Sequence, residues 1–100
     1  MTTDWKSIRE TIALDRGGWC WSCGCAPWSQ LHHMLIHRSK NHPEYDALEN
    51  LCPVCENCHP YLNGWESRVK FWMDQCQLYG HERMVGWLDG LNLRYPPKFE

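Results

Sequence analysis

Apolar residues in this chain fall into short periodic runs separated by polar or glycine-marked breaks, and these runs set the expected elements. Trp5, Ile8 and Ile12 recur at helical spacing, which predicts a helix over 4–15, with Thr3 or Asp4 as its cap and Gly17-Gly18 as its stop. The stretch 30–38 carries Leu31, Met34, Leu35 and Ile36 and fits a strand, although its alternation is imperfect. Polar residues and His42-Pro43 then predict a loop over 39–49 that turns back toward that strand. Farther on, Trp65, Val69, Trp72, Cys76 and Tyr79 trace one face of a helix closed by Gly80. A shorter helix over 82–91 turns Val85, Leu88 and Leu91 inward, and Pro96-Pro97 makes the tail extended. No repeat or internal boundary is visible, so a single domain over 1–100 is expected.

Composition adds a constraint. A chain of 100 residues with 43% hydrophobic content is globular, but it is small enough to gain from a metal staple. Its seven tryptophans are expected mainly in the core, although such rings also stack on bases. The net charge is −2. Four thiolates on one dication would add roughly −2 more. This balance excludes a protein that coats nucleic acid through charge alone, but not an enzyme that acts on it. Met1-Thr2-Thr3-Asp4 opens no apolar leader, and no stretch is apolar enough to span a bilayer, so a cytoplasmic chain without membrane contact is expected. In that reducing setting, seven cysteines, an odd number, read as metal ligands or free thiols.

Cys-x-x-Cys places two sulfurs on one turn at a separation that suits a tetrahedral zinc. Two such turns, around residues 20–25 and 52–58, would clamp distant parts of the chain together. Gly24 after Cys23 favours Cys20 and Cys23 over Cys25 for the first pair. Spacing alone leaves Cys52/Cys55 and Cys55/Cys58 open for the second. The cysteines left over are expected as small buried apolar residues. No strand-helix-strand context surrounds either pair, which argues against a redox dithiol.

Between the pairs lie His32-His33, then Asn50-Leu51, with His59 directly after Cys58. Neighbours on a strand point to opposite faces, so the two adjacent histidines diverge unless the strand bends or ends there. The ordered set Cys20-x-x-Cys23, His32-His33, Asn50-Leu51-x-x-Val54-Cys55-x-x-Cys58-His59 resembles the zinc-knuckle form of the HNH nuclease family. The match runs from Cys20 to Asn63 and favours Cys55 and Cys58 as the second zinc pair.

The resemblance implies an α+β fold, with a ββα-metal core braced by structural zinc, one N-terminal helix and two C-terminal helices. It implies His33 as general base and Asn50 as the residue that fixes the loop holding it. It also implies His32, His59 and Asn63 as ligands of a catalytic divalent ion (magnesium, manganese, nickel or zinc). The chemistry would be DNA phosphodiester hydrolysis, by nicking or double-strand cleavage. Arg38, Arg68 and Lys70 are candidate phosphate contacts. His37 stands where the family often has proline, Cys52 is an additional thiol, and the acidic balance is unlike many free-standing nucleases. Size and family habit suggest a phage or mobile-element product. Alternatives are a non-catalytic zinc module that binds nucleic acid or protein, and a nuclease active only within a larger phage or host assembly.

Overall fold

The structure, a computed structural model, describes residues 3–62 and 64–92. Asn63 and the 94–100 tail lie outside the described residues. The chain divides into two compact units, Met1–Leu62 and Asn63–Glu100.

In the first unit, α1 spans Trp5–Arg16. The Asp4 side chain caps it by accepting a hydrogen bond from the Ser7 N–H at 3.1 Å, and Gly17 ends it with φ +81°. Ile12 is its buried residue. Two strands follow, β1 (Gln30–His33) and β2 (Leu51–Val54), paired antiparallel so that His33 faces Leu51 and His32 faces Cys52. All of β2 is buried, including Pro53, whose carbonyl accepts from the Trp21 N–H at 2.9 Å. Proline is compatible with this strand because a two-stranded sheet has only edges. Single 3₁₀ turns occur at Pro43–Tyr45 and His59–Tyr61.

β1 is shorter than the apolar run predicts. Met34 still donates its N–H to the Asn50 carbonyl at 2.9 Å, which continues the antiparallel pattern. The next two N–H groups, of Leu35 and Ile36, go instead to the Asn50 side chain. The ladder therefore stops, while Met34 and Leu35 stay buried.

In the second unit, α2 (Trp65–Tyr79) and α3 (His81–Gly90) pack on each other across Gly80, whose φ is +97°. Phe71, Trp72, Met84 and Leu88 are buried. The tryptophan expectation needs correction. Trp72 is buried, but Trp19 and Trp65 are 61% and 57% exposed, and the core is built mainly from smaller apolar side chains. Among the described residues the architecture is thus a small mixed fold of three helices and a two-stranded antiparallel sheet. Among the described residues, no helix is long and apolar enough to cross a membrane.

Candidate functional site

Two turns bring four thiols together. In the first, the Gly24 N–H bonds the Cys20 carbonyl at 3.0 Å, with Gly24 at φ +66°. In the second, the N–H groups of Cys58 and His59 both bond the Cys55 carbonyl, at 3.2 and 3.1 Å. The sulfurs of Cys20, Cys23, Cys55 and Cys58 all lie within 4.8 Å of one another, Cys23 and Cys55 at 4.0 Å. Sulfurs around a tetrahedral zinc stand about 3.8 Å apart, given Zn–S bonds of about 2.3 Å, so a small contraction suffices and the set could hold such an ion.

Electrostatics agree with a shared charge site. Burial raises the Cys20 thiol, but hydrogen bonds from the backbones of Cys23, Cys55 and Ser22 and from the Cys23 side chain outweigh it and bring it down to about 6. Cys58 is pushed up to about 12, first by its bond to Cys55, then by desolvation and by Cys23 and Cys20. Cys20 thus gives up its proton readily while Cys58 holds on to its own; a bound dication would replace that proton.

The cysteines outside the set differ among themselves. Cys52 is fully buried on β2 and Cys76 half-buried on α2, where burial raises its thiol. Cys25 does not follow the buried expectation: it is exposed, with its thiol donating to the Cys23 carbonyl at 3.2 Å. No disulfide links any of the seven cysteines.

A cavity of about 430 Å³ is lined by His32, His33, His59, Trp5, Arg9 and Arg38, among others. The two neighbouring histidines diverge, as strand geometry requires, yet both border this cavity because β1 ends at His33. The His32 Nδ1 faces the His59 Nε2 at 3.0 Å. Gln30, two residues before His32 and on the same side of β1, accepts at Oε1 from the His59 Nδ1 at 2.5 Å. An amide oxygen only accepts, so the His59 Nδ1 carries the hydrogen of that bond. Desolvation, followed by the positive potential of His59 and His33, lowers His32 to about 4, against a weaker opposing bond to the Leu62 backbone. His32 is therefore a neutral imidazole at physiological pH, the form that coordinates metals.

On the other side of the strand, His33 Nε2 meets Asp46 Oδ1 at 2.6 Å, both side chains nearly buried at 9% and 12% exposure. Thr3 donates its hydroxyl to Asp46 Oδ2 at 2.5 Å. The Trp5 ring stands edge-on to His33, with centroids 6.1 Å apart. Desolvation raises the Asp46 carboxyl, but its bonds to Thr3 and His33 and the charges of His33 and Arg38 together hold it below its ordinary value.

Asn50 ties the connection between the strands. It is fully buried, accepts at Oδ1 from the N–H groups of Leu35 and Ile36 at 2.8 and 2.9 Å, and donates from Nδ2 to the carbonyls of Ile36 and Tyr45 at 2.8 and 2.9 Å. Every polar position of its amide is used.

Of the remaining sequence candidates, Arg38 is exposed at the cavity rim, whereas Arg68 and Lys70 lie on α2 in the second unit. Asp46 and Gln30 were not singled out in the sequence. For Gln30, the two-residue offset from His32 on a strand was the available signal. Asp46 sits in a polar loop with none. No family model, characterised protein or solved structure matches this chain.

Proposed function

We propose that this chain is a small metal-dependent endonuclease of the HNH type that hydrolyses DNA phosphodiester bonds. The reading rests on the sequence resemblance together with one observation: His32, His33 and His59, drawn from two distant segments, border one cavity with Arg38 at its rim. In this reading the hairpin is the strand pair of the ββα-metal core that the resemblance implies, and the four-thiol site holds structural zinc. Asn63 remains a possible additional ligand by the resemblance alone.

The site residues suit the chemistry. His32 and His59 would hold the divalent cation; a bound ion of this kind neutralises phosphoryl charge and stabilises the leaving oxygen. Two nitrogens about 2.1 Å from one ion at a right angle stand about 3.0 Å apart. The His32 Nδ1 and the His59 Nε2 stand 3.0 Å apart. His33 takes a proton from water as the water oxygen attacks phosphorus. The P–O3′ bond breaks and the leaving O3′ takes a proton from solvent, giving 5′-phosphate and 3′-hydroxyl ends. Arg38 orients the phosphate, and Asn50 holds the connection behind the base.

Cleavage of supercoiled plasmid by the zinc-loaded protein with magnesium, manganese or nickel tests the reading. His33→Ala should lower nicking by about 100-fold or more while retaining zinc. A folded, zinc-loaded wild type that cleaves with none of these ions would instead leave a binding module or a partner-dependent nuclease.

A further inference from the structure

We propose that Asp46 is a positioning residue for His33: it holds the imidazole as the Nε2–H tautomer, so that Nδ1 is the nitrogen that receives the proton in the cavity. This rests on the nuclease reading above. A neutral histidine has one donor and one acceptor nitrogen, and a proton acceptor must keep its lone pair toward the water it activates. Which nitrogen does so is set by the bond the other one makes.

Three observations carry the assignment. His33 Nε2 lies 2.6 Å from Asp46 Oδ1, and both side chains are nearly withdrawn from solvent, so water competes poorly for the bond. The carboxylate is itself anchored, because Thr3 donates to its second oxygen from a point just ahead of α1. His33 borders the cavity shared with His32 and His59, whereas Asp46 borders an adjoining one of about 380 Å³ with Thr3, Ser39 and Lys40, Trp5 and Arg38 lining both. The carboxylate therefore meets the ring from the side of the adjoining cavity, not from among the other two histidines. It also offers a negative charge to the imidazolium formed when His33 takes its proton.

The wiring of the two histidine positions is complementary. At His59 a neutral amide, Gln30, engages Nδ1 while Nε2 faces His32; at His33 a carboxylate engages Nε2. Either partner orients its ring, and a base that acquires charge gains further from an anion beside it.

The test uses the whole zinc-loaded chain, as wild type, Asp46→Ala and Asp46→Asn. Ring ¹⁵N spectra recorded with the histidines neutral report the His33 tautomer without reference to activity. The wild type should show Nε2–H, and Asp46→Ala should show a mixture. In plasmid nicking, Asp46→Ala should lose about 10- to 100-fold in kcat with KM little changed, because the residue touches the base rather than the DNA. Asp46→Asn, which retains an acceptor but not the charge, should fall between the two. A wild-type Nδ1–H tautomer, or full kcat in a zinc-loaded Asp46→Ala protein, overturns the proposal. If the wild type itself cleaves with none of the ions, the reading as a stand-alone nuclease falls and the positioning role in it falls too, whatever the tautomer.

Discussion

Asn50 is the residue whose loss should be felt most. Its amide satisfies two buried N–H groups and two carbonyls, and truncation leaves all four without that partner. Asn50→Ala should cost on the order of 3 kcal/mol in urea unfolding. Asn50→Asp should not rescue it, because a carboxylate cannot donate to the Ile36 and Tyr45 carbonyls. His32 makes a pH prediction with a definite sign. Its native pKa of about 4 lies below the ordinary 6.5, so between those values the unfolded chain binds a proton that the native ring refuses. Stability is present above about 6.5 and is lost as pH falls toward 4. Unfolding followed across that interval, without added divalent ion, should show a shallower slope in His32→Asn. At this scale the thiols and histidines were legible because their spacing is itself a chemical pattern. Asp46 was not, because a lone carboxylate in a polar loop looks like any solvated charge until the fold brings His33 to it.

Among the elements, both kinds of agreement and failure have local causes. The helices were readable because apolar spacing and glycine stops point the same way, and Asp4 caps α1 as its side-chain chemistry predicts. β1 was overextended because Met34, Leu35 and Ile36 continue the apolar run; hydrophobicity does not reveal that a side-chain amide captures the backbone N–H groups of Leu35 and Ile36. The first thiol turn depends on Gly24 in the left-handed region. No atom lies within 4 Å of a Cβ built there, so Gly24→Ala tests backbone strain alone. It should cost about 1–2 kcal/mol and weaken metal retention. Gly18→Ala, with equal space and no positive φ, should be near neutral. Chelator competition on the two variants measures the difference.

For the whole molecule, the thiol pairs join segments 32 residues apart, counted from Cys23 to Cys55, and the histidines and Asn50 lie between those ends or just beyond them. If the chain is the proposed nuclease, removing metal from the thiols with a strong chelator should therefore abolish nicking even with excess magnesium, and circular dichroism should show lost structure in the same titration. On the same reading, a net charge of −2 gives little long-range attraction for DNA, so binding should be weak and fall steeply with added salt. The antiparallel pairing, with His32 opposite Cys52 and His33 opposite Leu51, carries a further consequence. The two histidines are chemically identical, and in the proposed reading their roles differ only because one faces His59 and the other Asp46. A slip of one residue between the strands would turn every β1 side chain to the opposite face and exchange those partners. The division of labour is thus written in an offset between strands, and an error of one step would leave every component present in an inverted site.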